Sequence, residues 1–264
     1  NFAVAGVMAR MILKAKQWRN APFIIILLVF SLLNSASYLT FITGHLDLAT
    51  RIHDATLWLI AIVMNLMGGR VIPAFTQNAS LFKRSSAPAQ LGIATNLGLV
   101  LIALAWLIDA PIFLRLVSAI SAALLFYRWN MWGWRFTFKN PLLWSLHLSF
   151  VCLPMACTLI AMGYPRSGAL HILTIGAMTG LMLSMMSRVS LGHTGRMLKA
   201  PRLMPWVYAF IAFSALLRAL AGVWTSAYLP LIDSALLLWV IAFVFFIAHY
   251  ALILMRERSD GKRG

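Results

Sequence analysis

The feature that most constrains the fold is a series of uncharged apolar runs, each close to twenty residues long. A helix of this length spans the hydrocarbon core of a bilayer with every backbone polar group satisfied inside the segment. The runs are bounded by proline, glycine and charged residues and predict eight spans. They cover roughly 21–43, 54–75, 90–108, 112–128, 142–162, 168–187, 203–222 and 230–254. The predicted fold class is therefore all-α, a polytopic transmembrane helical bundle.

Composition agrees with a membrane protein, because 62% of the residues are hydrophobic and only 11% are charged. Soluble domains carry about 25% charged residues. The formal net charge of +16 does not indicate nucleic-acid binding. The basic residues stand in short clusters between the apolar runs, where they contact anionic lipid headgroups. The expected partner is the lipid bilayer, and no nucleic-acid partner is expected.

The distribution of Lys and Arg predicts the orientation. Of the 22 basic residues, all but four fall at one side of the predicted membrane. This majority includes Lys83 and Arg84. The positive-inside rule makes that side cytoplasmic, so both ends of the chain are expected there. We interpret residues 1–264 as a single transmembrane helical domain, 1–20 as the end of a preceding helix with a basic loop, and 255–264 as a cytoplasmic tail. The basic residues on the other side are Arg51, Arg115, Arg166 and Arg218.

The sixth predicted span and the loop after it read GALHILTIGAMTGLMLSMMSRVSLGHTGR, from Gly168 to Arg196. Plotted as an α-helix, it separates into two faces. One face, about 60° wide, predicts contact with a cofactor or a packed core. The opposite face predicts the close approach of a second helix, because small residues recur along it. The first face carries His171, Met178, Met182 and Met185, and the second carries Gly176, Gly180, Ser184 and Ser187.

Two histidines on different helices are predicted to lie at similar depth near the outer surface. His53 opens the second span and His171 opens the sixth. Such a pair suits bis-imidazole ligation of a heme or a metal, and the flanking Arg51 and Arg166 can meet heme propionates. The alternative is that these imidazoles form hydrogen bonds between helices, which is the interpretation favoured for His147 and His249.

Methionines share the faces of both candidate histidines. Met64 and Met67 lie on the His53 face of their predicted helix, as Met182 and Met185 lie on the His171 face. Thioether sulfur suits Cu(I), whereas methionine also serves as a common gap-filler in cores. The sequence leaves both roles open.

Other polar residues inside the spans predict contacts between helices. Arg218 and Asp233 are expected to form an ion pair across the last hairpin. Asn65 and Asn96 are expected to bridge helices through their amides.

The loop after the sixth span is predicted to be an ordered cytoplasmic turn. Gly192 and Gly195 permit positive φ on either side of His193, so the backbone can aim the imidazole at the membrane face. Arg188 and Arg196 bracket the loop and can bind an anionic group, such as a propionate or a lipid phosphate. The alternative is a basic turn that only sets the topology.

Three blocks together resemble NnrS proteins: RNAPF (Arg19 to Phe23), GGRVIPAFTQNA (Gly68 to Ala79) and HILTIGAMTGLMLSMMSRVSLGHTGR (His171 to Arg196). The resemblance implies a multi-pass protein of the bacterial cytoplasmic (inner) membrane that acts in the response to nitric oxide and nitrosative stress. It implies heme as the main cofactor and copper as a second one, and it adds His193 to the candidate ligands. The histidine-rich HAHEM-like motif of the usual NnrS amino terminus has no counterpart here, so we expect this chain to lack the amino-terminal spans.

The candidate metal ligands are therefore His53, His171 and His193, with nitric oxide as a ligand of the heme. If His53 and His171 both bind the iron, one of them must leave before nitric oxide can bind. Two further functions stay open, a cofactor-free transporter of ions or small solutes and a structural membrane subunit. Transport lacks the carboxylate that proton-coupled carriers place near the midplane, because Asp54, Asp109 and Asp233 all fall toward the outer ends of spans.

Overall fold

The computed structural model describes residues 2–79, 87–259 and 261. Across these residues the chain forms nine helices and no strand. The helices are α1 (Phe2–Lys14), α2 (Ala21–Ile42), α3 (Leu46–Ala79), α4 (Ala89–Leu107), α5 (Pro111–Asn130), α6 (Pro141–Ala161), α7 (Arg166–His193), α8 (Met204–Leu220) and α9 (Tyr228–Met255). The predicted all-α class is confirmed.

The eight predicted spans correspond to α2 through α9. Seven of these helices are long and apolar enough to cross a membrane. The eighth, α8, has 17 residues and is also apolar, at the lower end of the spanning range. The multi-pass helical bundle is therefore confirmed, while the side that each end faces stays a prediction. Lys83 and Arg84, which count toward the predicted orientation, lie outside the described residues, as do residues 260 and 262–264 of the predicted tail.

Short connections after α2, α4, α6 and α8 lie at one end of the bundle, which we call the short-loop end. Each reverses the chain within a few residues, and positive φ angles occur at Gly44, Asp109 and Gly163. Pro111 begins α5 directly after the turn at Asp109, since its fixed φ suits a first helical turn. Ion pairs from α3 to the α4–α5 turn and to α7 join the elements at this end.

Helix α7 packs unusually close to α6 and α8 along its small-residue face. A Cβ atom added at Gly176 would lie 2.8 Å from Cys152 Sγ on α6 and 3.3 Å from Ala215 Cβ on α8. One added at Gly180 would lie 2.4 Å from Ser149 Oγ on α6. Ser184 and Ser187, which continue the same face, are fully buried. The predicted close approach of helices along this face is confirmed, and it holds α7 between its two neighbours.

One segment in the first half of α7 departs from α-helical geometry. Ile172–Thr179 is a π-helix, and the Thr179 hydroxyl donates to the carbonyl of Thr174, five residues back, at 3.0 Å. An i→i+5 turn contains an extra residue, so the side chains after it are rotated relative to an α-helical wheel. The prediction that His171 shares one face with the later methionines is therefore wrong. His171 faces α8 and α9, whereas Met182 and Met185 line a cavity with α3.

Replacing Gly180 with alanine should destabilise the protein. The new methyl group would overlap the Ser149 side chain, with 2.4 Å to Oγ and 2.9 Å to Cβ, and overpacking of this kind costs about 1–3 kcal/mol. The matched control is Gly6→Ala in α1, where nothing lies within 4 Å of the added Cβ. Both variants gain the same helix propensity, about 1 kcal/mol. We expect thermal unfolding in detergent to show a lower Tm for Gly180→Ala only, and equal Tm changes in the two variants would contradict the close packing.

Candidate ligand-binding site at His171

His171 lies in a cavity between α7, α8 and α9, which we call the His171 cavity. Its volume is about 440 Å³, within the range of pockets that hold cofactor-sized molecules. The wall is mostly apolar, with a few polar groups at the His171 end. The lining residues are His171, Thr174, Ile175, Ser214, Arg218, Ile232, Ala235, Leu236 and Trp239.

A short hydrogen bond fixes the protonation of the His171 ring. Nδ1 lies 2.6 Å from the carbonyl oxygen of Ser167, one helical turn earlier. A carbonyl oxygen can only accept, so Nδ1 carries the proton and donates it. The neutral ring then has its lone pair on Nε2, which has no hydrogen-bond partner among the described residues. An imidazole held through Nδ1–H to a backbone carbonyl is oriented to bind a metal through Nε2.

Arg218 brings a positive charge to the same cavity. It is half-buried, and its Nη1 atom is buried without a hydrogen-bond partner in the described structure. The predicted ion pair with Asp233 is wrong, since Asp233 is exposed and the ion pairs among the described residues do not include it. The neighbouring Ser214 hydroxyl donates to the carbonyl of Ala235 at 2.7 Å and forms no hydrogen bond with Arg218 in the described structure. The guanidinium therefore has capacity for an anionic group in the cavity, such as a carboxylate.

The π-helical segment shapes this site. It begins at Ile172, directly after His171, and it contributes Thr174 and Ile175 to the cavity wall. π-Helical turns inside α-helices occur frequently at functional sites. The Gly176 contact lies within the same segment, so the close packing against α6 and α8 holds the distorted turns in place.

The other two candidate histidines lie apart from the cavity wall. His53 on α3 is exposed and does not line the His171 cavity. His193 is exposed at the last residue of α7, at the opposite end of this helix from His171. The described residues contain no group of three or more His, Cys, Asp or Glu side chains that could hold a metal ion together. A joint role for the three histidines stays a prediction.

Both arginines near the predicted outer histidine pair have carboxylate partners. Arg51 Nη2 lies 3.1 Å from Asp109 Oδ2 in an exposed pair. Arg166 binds Asp54 with two hydrogen bonds, Nε to Oδ2 at 2.5 Å and Nη2 to Oδ1 at 2.6 Å. Its guanidinium also lies over the Trp106 ring, 5.6 Å from the centroid. The structure thus ties α7 to α3 and α4 at the short-loop end through Arg166.

The loop after α7 is ordered by contacts with the carboxyl-terminal segment. The carbonyl of Thr194 accepts from the backbone N–H of Ser259 at 3.1 Å, and the Ser259 hydroxyl donates to the carbonyl of Gly195 at 2.7 Å. Arg196 reaches the carbonyl of Glu257 at 3.5 Å. Positive φ occurs at Gly195, as expected, but Gly192 is still helical, so that half of the prediction is wrong.

Arg188, predicted to bracket this loop, is instead buried within α7. Its guanidinium lies over the Phe75 ring of α3, with Cζ 4.0 Å from the centroid. A cation over an aromatic face is stabilised by the ring quadrupole, and more strongly where water is absent. Arg188 therefore joins α7 to α3 within the bundle in the described structure.

A second buried cation, Arg128 near the end of α5, was missed from the sequence. Its Nη1 atom donates to Asn65 Oδ1 at 2.6 Å and lies 3.3 Å from Thr95 Oγ1. Asn65 Nδ2 in turn donates to Asn96 Oδ1 at 3.0 Å, which confirms the predicted bridge between the two amides. The signal that could have revealed the cluster is the matched depth of one arginine and two amides on α3, α4 and α5.

His147 forms the hydrogen bond between helices that was predicted for it, with Nε2 2.9 Å from Thr76 Oγ1.

A separate cavity of about 220 Å³ lies between α3, α6 and α7. Four methionines line it, two from α3 and two from α7, and we call it the methionine cavity. The donor set consists of neutral thioethers, which suit Cu(I) rather than a hard cation. The lining residues are Val63, Met64, Met67, Gly68, Val71, Ile72, Leu146, Leu181, Met182 and Met185.

The two partners of the Arg166–Asp54 ion pair should differ in how much stability is lost when each is substituted. Asp54 is 1% exposed and Arg166 is 43% exposed, so Arg166→Gln leaves a buried carboxylate without its partner. We expect a loss of about 2–3 kcal/mol, below the value for a fully buried pair because Arg166 is partly solvated. Asp54→Asn should cost less, since the arginine keeps its access to water. Thermal unfolding of both variants and of the double variant measures this order, and a larger loss for Asp54→Asn would contradict it.

A family model described as NnrS protein matches residues 1–258. This range includes every helix of the bundle, the His171 cavity and the methionine cavity. Comparisons with curated proteins and with solved structures found no significant match. The chain therefore belongs to the NnrS family.

Proposed function

We propose that this membrane protein binds heme in the His171 cavity and takes part in the bacterial response to nitric oxide and nitrosative stress. Copper is the second metal of the proposal. Membership of the NnrS family supports the link to nitric oxide. The family also supports placement in the bacterial cytoplasmic membrane, with the basic loops and both chain ends on the cytoplasmic side.

The observation that carries the heme proposal is the hydrogen bond from His171 Nδ1 to the Ser167 carbonyl. It selects the tautomer whose Nε2 lone pair is free, which is what an axial ligand of heme iron requires. Nε2 has no competing partner among the described residues. His171 is thus the residue of this chain that would hold the heme iron, through Nε2.

The rest of the cavity suits the same group. The apolar wall from α9, with Ile232, Leu236 and Trp239, fits the face of a flat hydrophobic macrocycle. Arg218 supplies the cation for one propionate, and burial strengthens such a charge-assisted pair. In this proposal Arg218 takes the propionate role that the sequence suggested for Arg51 and Arg166, whose carboxylate partners already occupy them.

When bound, heme would supply an iron centre that can ligate nitric oxide. The residues of this chain would bind and orient it: His171 through Nε2, Arg218 through its guanidinium, and the apolar wall by excluding water. The cavity lining holds no second histidine, cysteine or methionine, which favours an iron with one position open to nitric oxide. In the alternative, His53 would hold the iron together with His171.

Substitution of His171 tests the assignment. His171→Gly removes the imidazole, so we expect the heme content of the detergent-purified protein to fall roughly tenfold or more, as the Soret band and a pyridine hemochrome assay measure it. Added imidazole should restore the band by occupying the space left on α7. His45→Gly is the matched control, because His45 is an exposed histidine at the same short-loop end.

Wild-type heme content in His171→Gly would contradict this assignment. Loss of heme in His53→Ala or His193→Ala, with His171→Gly unaffected, would move the ligand to those residues. No Soret band in wild-type protein expressed with adequate heme would remove the cofactor from the proposal and favour a cofactor-free transporter or a structural subunit. Liposome flux would then separate these two.

Nitric oxide binding tests the open position. We expect the Soret band of the reduced protein to shift when nitric oxide is added, because no second ligand from the cavity wall blocks the iron. A spectrum that does not change would contradict the open site. It would indicate a six-coordinate heme that serves electron transfer or structure.

A further inference from the structure

The methionine cavity differs from an ordinary packed core because the side chains around it leave free volume between them. Methionine is flexible and normally fills irregular gaps in a core. Here Met64 and Met67 from α3 face Met182 and Met185 from α7 across about 220 Å³ of free volume. Met67 is 42% exposed and Met182 is 60% exposed, so the cavity opens at the surface of the bundle and these side chains are not filling a closed gap in the core.

The chemistry of the lining is selective. Every residue of the wall is apolar or a methionine, and no charged side chain takes part. A hard cation such as Mg²⁺ or Ca²⁺ requires oxygen ligands, which the side chains of this wall do not offer. Thioether sulfur binds soft Cu(I), and neutral ligands suit a monovalent ion in a region of low dielectric constant.

A neighbouring cavity extends the row of methionines. Met67 and Val63 belong to both cavities, and the second one also contains Met8 and Met11 of α1. This second cavity opens beside the α1–α2 turn, where Gln17, Asn20 and Arg70 are also part of its wall. The positive charge of Arg70 disfavours a resident cation there. The neutral methionine cavity is therefore the place where a metal ion would stay, and the second cavity is a route to it.

We propose that the methionine cavity binds one Cu(I) ion through the thioethers of α3 and α7. The proposal rests on the copper part of the proposed function and makes it more specific. It does not depend on the heme part, since the methionine cavity and the His171 cavity share no residue. Binding involves no change of oxidation state. The ion would enter from the α1–α2 side and cross-link α3 to α7.

The test uses the full chain in detergent under anaerobic conditions, with Cu(I) in competition against a coloured Cu(I) chelator. We expect the wild type to hold one Cu(I) per chain. Met64→Leu combined with Met182→Leu removes one thioether from each helix at nearly constant volume, so folding should be retained. We expect Cu(I) binding in this variant to weaken roughly tenfold or more.

Two control variants make the result specific. Met197→Leu combined with Met255→Leu removes two methionines that are 85% and 78% exposed and lie outside both cavities. Cys152→Ala combined with Cys157→Ala removes the two thiols, which also lie outside the cavity walls. Both double variants should bind Cu(I) like the wild type. Met67→Leu alone repeats the test at a half-exposed position if the first variant does not fold.

Copper K-edge X-ray absorption should show sulfur as the neighbour of the ion in the wild type. Unchanged Cu(I) affinity in both Met64→Leu/Met182→Leu and Met67→Leu would overturn the proposal, as would a wild type that binds no Cu(I). The heme assignment is tested by a different measurement, the Soret band. The copper proposal and the heme proposal can therefore be contradicted independently.

Discussion

The close contact of α7 with α6 and α8 is the constraint on which the rest of the structure depends. Gly176 and Gly180 leave no space for even a methyl group against Cys152 and Ser149. In a bilayer the association of helices relies on such packing, since lipid tails are as apolar as the side chains they replace. The contact holds the π-helical turns in place, and those turns direct His171 toward α8 and α9 while the later methionines face α3.

Buried charged side chains are the second constraint on the structure, because most of them need a partner inside the bundle. Asp54 is neutralised by Arg166, and Arg128 is surrounded by the neutral oxygens of Asn65 and Thr95. Each arrangement offsets a desolvation cost that the membrane would otherwise impose. Arg128 Nε and Arg218 Nη1 are both buried without a partner among the described residues, but Arg128 forms hydrogen bonds through Nη1, whereas the Arg218 guanidinium forms none there. A buried donor left unsatisfied is costly, which supports the proposal that an anionic group binds at Arg218.

The sequence predicts the spans well because hydrophobic length is a local property, and every predicted span corresponds to a helix. The small-residue face of α7 was predictable for the same reason. The direction of His171 was not, since an α-helical wheel cannot anticipate the π-helical turns that follow it. The expected pair of Arg218 with Asp233 failed because proximity in a hairpin does not fix side-chain direction. The methionine cavity needed the structure, because only the packing of α3 on α7 brings their methionines to one space.

The central claim is that His171 Nε2 is a ligand of heme iron. Resonance Raman spectroscopy of the reduced protein measures this bond directly through the iron–histidine stretching band. The account predicts the band in the wild type, its loss in His171→Gly, and its return with a shifted frequency when imidazole fills the vacated position. An unchanged band in His171→Gly would show that another histidine holds the iron and would contradict the account.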